Sequence, residues 1–389
     1  MLGGIPLSKI EKIQTPFYYY NTNLLRDTLD SIKKSIAKYP NFVVHYAVKA
    51  NANKELLSII AKNGLGADCV SGGEIETALK SGFKAKDIVY AGVGKDDWEI
   101  EMALDKGIFC FNVESAAELA VINEIAKRKS KTARVALRIN PEVDASTHAK
   151  ITTGKAENKF GLAMAEVMNI TELCKVSSNI DLVGVHFHIG SQITDLQDFV
   201  NLCMRINTIM DKLNQMSVDV KNINVGGGLG VSYTQPDFED IPPFDEYFNV
   251  YATYLKVKPH QTVHFELGRS VVAQCGTLFS RVLYVKKGVN KEFVILNAGM
   301  TDLIRPAMYD SYHKIQNVSS KLELRKYDVV GPICESSDVF AKDTYLPITK
   351  RGDLIAIRSA GAYGEVMSST YNCRPMIKSY TSEQINNME

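Results

Sequence analysis

Residues 42–69 read FVVHYAVKANANKELLSIIAKNGLGADC, and they contain a complete strand, helix and strand. The apolar, β-branched run over Phe42–Val48 predicts a buried strand, and the run over Leu65–Cys69 predicts a second one. The stretch between them has helical character. A strand, a helix and another strand in this order are typical of a parallel sheet, whose neighbouring strands need a crossover connection.

The same alternation continues to residue 267. Six further apolar runs predict strands: Ile88–Ala91, Ile108–Asn112, Arg134–Ile139, Leu182–His188, Ile223–Val225 and Thr262–Leu267. Two of the helices between them begin with the S-x-x-E spacing of a helix cap, Ser71 with Glu74 and Ser115 with Glu118. Eight strands with intervening helices over about 230 residues predict one (β/α)₈ TIM barrel.

The remainder of the chain has a different pattern. After about Arg269 the helical period fades, and turns rich in Gly, Pro and Asp separate four strand-like runs: Leu278–Val285, Phe293–Leu296, Asp328–Cys334 and Asp353–Arg358. We therefore expect a barrel over residues 25–268 and a β-barrel-like, all-β C-terminal domain over 269–389. We expect residues 1–24, which include the strand-like Phe17–Tyr20, to join the β domain.

Composition describes an ordinary globular protein with a small-molecule partner. Of the 389 residues 45% are hydrophobic and 23% charged, and the net charge is +1, so nothing indicates attraction to nucleic acid or to a membrane surface. Seven scattered cysteines without a CxxC pair argue against a disulfide framework and a structural zinc site, which predicts a cytoplasmic protein. No apolar run is long enough to span a membrane.

Chemically unusual residues stand at the ends of the predicted strands, where barrel enzymes carry their active sites. Lys49 follows the first strand, where an amine is desolvated enough to form a Schiff base, although a lysine here is more often a solvated cap. His186 and His188 share one face of the sixth strand, which suits a metal, a planar cofactor or a structural role.

The seventh strand runs into NVGGGLG (224–230), a turn that suits a phosphate. Glu266 lies near the end of the eighth strand and needs a cationic partner, which the ring nitrogen of pyridoxal phosphate would supply.

Six motifs together carry a family resemblance over nearly the whole chain. They are HYAVKAN (45–51), GVHFHIGSQ (184–192), NVGGGLG (224–230), ELGRS (266–270), GPICESSD (331–338) and GAYG (361–364). In this order they resemble the alanine-racemase-type, fold type III decarboxylases of basic amino acids, which depend on pyridoxal 5'-phosphate. The resemblance implies a barrel followed by a β domain, and a head-to-tail homodimer with active sites at the interface.

The resemblance also implies roles for individual residues. Lys49 resembles the Schiff-base lysine, His188 the histidine stacked on the cofactor ring, and Glu266 the partner of the pyridinium nitrogen. Positions matching those around the phosphate or its edge are Ser191, Gly227, Gly228, Gly268, Arg269 and Tyr363. Asp68 and Arg138 match supporting positions near the lysine and the ring. The motifs STH (146–148) and NKFG (158–161) match the family in a loop of undefined role.

The GPICESSD motif separates members of this family. Cys334 resembles the proton donor that the partner subunit delivers, although a lone cysteine is more often a buried structural thiol. Glu335 is typical of diaminopimelate decarboxylases, whereas ornithine and arginine decarboxylases carry aspartate there. Arg305 and Tyr309, with Arg269 and Tyr363 beside them, resemble the groups that hold the far end of that substrate. The resemblance therefore predicts decarboxylation of meso-2,6-diaminopimelate at its D-centre to L-lysine, the last step of lysine biosynthesis.

Three alternatives stand beside this prediction. An ornithine, arginine or carboxynorspermidine decarboxylase has the same fold, but Glu335, Arg305 and Tyr309 argue against it. A zinc-dependent barrel hydrolase would use His186 and His188, yet such enzymes place a histidine pair after the first strand. A non-catalytic relative would have lost Lys49 or Cys334, and both are present.

Overall fold

The computed structural model describes residues 6–143 and 159–388. The STH motif and Asn158 of the NKFG motif lie outside the described residues. Contacts within the chain define two compact units. A β unit comprises Met1–Thr28, Val231–Pro242 and Arg269–Glu389, and a barrel unit comprises Leu29–Gly230 and Pro243–Gly268.

The strands of the described residues, in chain order, are β1 (Phe17–Tyr20), β2 (Phe42–Ala47), β3 (Gly66–Cys69), β4 (Ile88–Tyr90), β5 (Cys110–Val113), β6 (Ala133–Arg138), β7 (Ile180–His186), β8 (Asn222–Asn224), β9 (Thr262–Leu267), β10 (Gly276–Lys287), β11 (Glu292–Leu296), β12 (Ile315–Asn317), β13 (Leu324–Val330), β14 (Val339–Pro347), β15 (Leu354–Ile357) and β16 (Lys378–Thr381).

The α-helices of the described residues are α1 (Leu7–Ile10), α2 (Thr22–Ile36), α3 (Lys54–Lys62), α4 (Gly72–Lys80), α5 (Asp97–Lys106), α6 (Ala116–Arg128), α7 (Met164–Val176), α8 (Gln197–Gln215), α9 (Phe244–Tyr254), α10 (Arg269–Val272), α11 (Arg305–Tyr309) and α12 (Ser382–Asn386). None of these helices is both long enough and apolar enough to cross a membrane.

Strands β2 to β9 form a closed parallel barrel, and each of helices α3 to α9 lies between two consecutive strands. This confirms the predicted (β/α)₈ barrel and all eight of its strands. The two predicted helix caps are also present. Ser71 accepts a hydrogen bond from the backbone N–H of Glu74 at the start of α4, and Ser115 accepts one from that of Glu118 at the start of α6.

The interior of the barrel is polar toward the carboxyl ends of its strands. Asn112 on β5 donates to Glu266 on β9, and these two strands are not neighbours, so the bond crosses the interior. His186 on β7 and Asn224 on β8 point to the same carboxylate. Because side chains alternate along a strand, apolar residues of the same strands pack outward against the helices.

The β unit is built on one sheet in the order β12-β15-β10-β11-β13-β14. The strand predicted at Phe17–Tyr20 is β1, which pairs antiparallel with β10 and parallel with β16. Its side chains Phe17 and Tyr19 pack with Phe279 and Leu354 in a buried apolar cluster. A separate, mostly β unit was therefore predicted correctly.

The strand prediction for the β unit was wrong in two respects. The strand predicted over Asp328–Cys334 is wrong in its second half, because β13 ends at Val330. Gly331 and Pro332 follow, and proline has no N–H to donate to a sheet. Strands β12, β14 and β16 were missed. The segment 231–242, which lies between β8 and α9 in the sequence, groups with the β unit.

Candidate active site

Lys49 lies directly after β2, in a short 3₁₀ turn over Val48–Ala50. Its ammonium group contacts Asp68 Oδ2 on β3 at 2.8 Å. Asp68 is fully buried, and its second oxygen, Oδ1, has no hydrogen-bond partner among the described residues. Burial and the nearby charge of Glu266 raise the pKa of the Asp68 carboxyl, while Lys49 acts against them. The predicted lysine is thus held at the carboxyl end of the barrel by a buried carboxylate.

Glu266 lies at the centre of a buried hydrogen-bond network. Its Oε2 contacts His186 Nε2 at 3.0 Å, and its Oε1 accepts from the amides of Asn224 at 2.7 Å and Asn112 at 3.3 Å. Burial alone would raise the pKa of the Glu266 carboxyl, but the charge and hydrogen bond of His186, together with Lys49, lower it below its usual range. The barrel therefore holds a fixed negative charge at this position.

His188 lies two residues past β7, against the glycine-rich turn. Its Nδ1 accepts a hydrogen bond from the backbone N–H of Gly227 at 3.3 Å. Burial, reinforced by the charges of Arg138 and Lys49, lowers the pKa of His188 to about 3. The imidazole is therefore neutral at physiological pH, and its orientation is fixed by the turn.

The glycine-rich turn after β8 packs backbone to backbone against the neighbouring strand ends. Gly226 has a φ of 73°, and a Cβ there would overlap the carbonyl oxygen of Phe187. A Cβ on Gly227 would overlap the carbonyl oxygen of Glu266. Gly228 accepts from the backbone N–H of Ile193 at 2.9 Å, which joins this turn to the loop that carries Ser191. Only glycine fits such approaches, and the turn brings backbone rather than side chains to the barrel mouth.

Arg138, the last residue of β6, is held by Glu114. Its Nη1 contacts Glu114 Oε1 at 2.6 Å in a buried ion pair, and its guanidinium lies 4.8 Å from the ring centroid of Phe160. Glu114 also accepts from the backbone N–H groups of Gly92 at 3.1 Å and Gly161 at 3.0 Å. One carboxylate thus ties together the loops that follow three barrel strands.

In the β unit, two buried arginines meet at one phenol oxygen. Arg269 Nη1 donates to Tyr233 Oη at 2.6 Å, and Arg305 Nη1 donates to the same atom at 3.0 Å. The guanidinium of Arg269 also lies 4.9 Å from the ring centroid of Tyr363. Tyr363 has a φ of 56°, a left-handed conformation that is rare for a tyrosine.

Cys334 and Glu335 lie in the turn between β13 and β14 and are exposed. The backbone N–H of Cys334 donates to Asn372 Oδ1 at 3.1 Å, and Glu335 accepts from the hydroxyl of Tyr371 at 2.6 Å. Asp338 shapes the turn from within, accepting from the backbone N–H of Ile333 at 2.7 Å. Five of the seven cysteines are buried, so Cys334 departs from the usual structural thiol.

The predicted site residues fall into two groups. On the barrel unit lie Lys49, Asp68, Arg138, His188, Ser191, Gly227, Gly228, Glu266 and Gly268. On the β unit lie Arg269, Arg305, Tyr309, Cys334, Glu335 and Tyr363. Sequence reasoning missed Asn112, Asn224, Glu114 and Tyr233. For Asn112 and Asn224 a signal existed, because Asn112 ends one predicted strand and Asn224 lies one residue before the end of another.

Comparison with known proteins gives one consistent result. Residues 25–273 match the family described as pyridoxal-dependent decarboxylase, pyridoxal binding domain. A diaminopimelate decarboxylase of Bacteroides thetaiotaomicron is 58% identical over 385 residues, which cover 99% of this chain and 100% of that protein. One of Aquifex aeolicus is 40% identical, over 96% of this chain and 88% of that protein.

Solved structures agree with the sequence relatives. The crystal structure of diaminopimelate decarboxylase from Helicobacter pylori, complexed with L-lysine, superposes with a TM-score of 0.90. It is 42% identical, and the match covers 96% of this chain and 93% of that one.

Proposed function

The chain belongs to the pyridoxal-dependent decarboxylases and, among them, to the diaminopimelate decarboxylases; on this premise we propose that it converts meso-2,6-diaminopimelate to L-lysine and carbon dioxide. The carbon dioxide leaves from the D-centre, and the reaction is the last step of lysine biosynthesis. The choice of substrate rests on the environment of Arg305. It is a buried arginine for which no described carboxylate supplies an ion pair.

The described residues of the barrel unit fit pyridoxal 5'-phosphate. Glu266 holds a negative charge in a buried site, and its Oε2 has room for a second donor besides His186, which suits a protonated ring nitrogen. The glycine turn of Gly227 and Gly228 suits a phosphate. Lys49 suits the aldehyde, because Asp68 holds its amine at the mouth of the barrel. When bound, this cofactor supplies an electron sink for the pair of electrons that carbon dioxide leaves behind.

The chain's own residues orient the reacting groups and hold charge. Glu266 would stabilise a positive charge at the ring nitrogen, and His186, Asn112 and Asn224 keep Glu266 ionised and in place. His188, neutral and fixed by Gly227, offers a flat face for stacking. Asp68 has an oxygen available to accept a further hydrogen bond at the same end of the barrel.

Recognition of the far end of the substrate is assigned to the β unit. Diaminopimelate carries an amino group and a carboxylate at the end that does not react. Arg305, with Arg269, Tyr309 and Tyr363, is proposed to hold this end, since guanidinium groups pair with carboxylates in a fixed geometry. Ornithine and arginine have no carboxylate at their far ends, so they would leave the buried guanidinium without its partner.

Cys334 is proposed as the proton donor to the carbon that loses carbon dioxide, acting in the active site of a partner subunit. The exposure of Cys334 and Glu335 supports this role. A cavity of about 640 Å³ lies nearby in the β unit, and Ser336, Ser337 and the exposed Tyr312 and Tyr345 contribute to its lining. Such a surface suits contact with a second copy of the chain. We also propose a cytoplasmic location, which the free cysteines favour.

The deciding experiment measures carbon dioxide release by the purified, cofactor-loaded protein. The substrates compared are meso-diaminopimelate, L-ornithine, L-arginine, L-lysine and carboxynorspermidine. We expect release from meso-diaminopimelate alone, with L-lysine as the product. Preference for another substrate would leave the fold and the cofactor assignment intact, but it would contradict the substrate-binding roles proposed for Arg305 and Glu335.

A further inference from the structure

The segment Val231–Pro242 interrupts the barrel unit and attaches to the β unit through polar contacts. Gln274 donates from its amide to the carbonyl oxygens of Ser232 at 2.7 Å and Glu239 at 3.0 Å. Asp237 forms an ion pair with Arg358 at 2.7 Å. These contacts hold the segment in place on both sides of Tyr233. The phenol oxygen of Tyr233 contacts the two arginines.

Tyr233 accepts hydrogen bonds from two like-charged groups, the guanidiniums of Arg269 and Arg305. Two buried guanidiniums close together repel each other, and burial is the main influence that lowers the pKa of Arg305, with the charge of Arg269 adding to it. The phenol oxygen accepts a charge-assisted hydrogen bond from each of them. It holds both groups at one point while contributing no full negative charge, and two further hydrogen-bond partners of Arg305, His313 and Ser311, are also neutral.

His313 fixes Arg305 from another side. Its Nδ1 must donate to the carbonyl oxygen of Arg358 at 2.9 Å, because a carbonyl only accepts. Its Nε2 is therefore the unprotonated nitrogen, and it accepts from Arg305 Nη1 at 3.0 Å. Burial and the charge of Arg305 lower the pKa of His313 to about 3, which agrees with this neutral tautomer. The ring of Tyr233 packs edge to face on His313, with centroids 5.1 Å apart.

We propose that Tyr233 and His313 are positioning residues of the carboxylate clamp, and that they set its selectivity for ligands with a carboxylate at the far end. This inference rests on the proposed function. Neither residue is assigned to contact the substrate. Both accept from the guanidiniums through neutral atoms, whereas an aspartate or glutamate in their place would neutralise the clamp.

The test compares two ligands that differ in one group. L-lysine carries the far-end carboxylate, and cadaverine is the same molecule without it. Their dissociation constants are measured by isothermal titration calorimetry on the cofactor-loaded wild-type protein and on Tyr233→Phe. We expect Tyr233→Phe to weaken L-lysine binding by on the order of tenfold, since one hydrogen bond to a charged group is lost from each arginine, and to leave cadaverine within about twofold.

Two further variants keep the test decisive if Tyr233→Phe does not fold. His313→Leu removes the acceptor for Arg305 and should give the same selective loss. His313→Gln restores an acceptor oxygen and a donor for the Arg358 carbonyl, and should recover most of the L-lysine affinity. Tyr284→Phe, which removes the hydroxyl of an exposed tyrosine of the β unit, is the matched control and should bind both ligands as the wild type does.

The outcomes separate this inference from the proposed function. Equal weakening of L-lysine and cadaverine would show a merely structural role for Tyr233 and His313, and unchanged binding of both would show no role; either result overturns the inference. Failure of the wild-type protein to release carbon dioxide from meso-diaminopimelate overturns the proposed function, whatever the two dissociation constants are.

Discussion

Asp68 and Glu266, two buried carboxylates of the barrel interior, have pKa values displaced in opposite directions. Burial and the charge of Glu266 raise the pKa of Asp68. Burial also acts on Glu266, but the charge and hydrogen bond of His186, with Lys49, outweigh it and lower the pKa. Like charges in a low-dielectric site oppose each other's ionisation, and here the neighbours of Glu266 favour its negative charge. Buried carboxyl groups with displaced pKa values are typical of an active site.

The first prediction concerns that fixed charge. Glu266→Gln keeps an acceptor oxygen for Asn112 and Asn224 but removes the negative charge that supports a protonated ring nitrogen. We expect kcat for meso-diaminopimelate to fall by roughly 10²- to 10³-fold, as when one preorganised electrostatic group is removed from an active site. Bound cofactor, measured by its absorbance, should remain. Near-normal kcat at full cofactor occupancy would remove the assignment of Glu266.

The second prediction locates the covalent attachment. Borohydride reduction of the cofactor-loaded protein, followed by peptide mass mapping, should place the cofactor on the peptide that contains Lys49. Lys49→Ala should lose this label and fall in activity by at least roughly 10²-fold. Lys54→Ala, which changes an exposed lysine at the start of α3, is the matched control and should keep both. A label on any other lysine contradicts the assignment.

The barrel could be predicted from sequence because its signals are local. Most of its strands coincide with a short apolar run that ends before a polar or glycine-rich turn, as at Phe42–Ala47 and Thr262–Leu267. The chemistry follows the same rule, since Lys49, Asp68 and Arg138 stand at or just after strand ends. The family motifs supplied the predicted roles of these residues, because the hydrophobic periodicity and the spacing of residues do not indicate such roles.

Three strands of the β unit, β12, β14 and β16, were missed because they are short, polar or irregular. Strand β12 reads IQN and β16 reads KSYT, and neither has an apolar run. Strand β14 contains Lys342 and Asp343, and its pairing with β13 has register shifts. Such strands are stabilised by partners that are distant in sequence. Tyr233 was missed for the same reason, because both arginines that it contacts lie more than thirty residues away in the sequence.

The third prediction concerns stability and pH. Burial raises the pKa of Glu74 on α4 from 4.5 to about 7, although the backbone N–H of Val70 and the charge of Lys49 act against it. A raised pKa in the folded state means that the native protein binds a proton that the unfolded chain lacks between these values. The stability contributed by Glu74 is therefore present at pH 4.5 and is lost as the pH rises through about 7.

Glu74→Gln tests this linkage. Glutamine keeps an acceptor for the Val70 N–H without the ionisation, so the variant should be more stable than wild type at pH 8, by at most about 3 kcal/mol, and near wild type at pH 5. Melting temperatures at the two pH values measure the effect. Glu76→Gln on the exposed face of the same helix is the control and should show no such gain at pH 8. A Glu74→Gln advantage that is equal at both pH values contradicts the raised pKa.

The fourth prediction concerns the proton donor. Cys334→Ala should lower kcat for meso-diaminopimelate by roughly 10²- to 10⁴-fold, the usual cost of losing a positioned acid. Cys373, the other exposed cysteine, is a matched control, and Cys373→Ala should retain activity. Equal effects of the two substitutions would indicate that any loss comes from disturbance of the turn, in which the backbone of Cys334 bonds to Asn372.

The last prediction tests whether active sites are shared between subunits. Lys49 lies on the barrel unit and Cys334 on the β unit, so a shared site would take one residue from each chain of a homodimer. We expect the Lys49→Ala and Cys334→Ala homodimers each to be strongly impaired, whereas a mixed dimer with shared sites would contain one site with both native residues. Random pairing of equal amounts makes half of the dimers mixed, so about one quarter of the wild-type activity should return. Two affinity tags isolate the mixed dimer, and both variants must be loaded with cofactor. A mixed dimer without activity would show that each site draws Lys49 and Cys334 from the same chain.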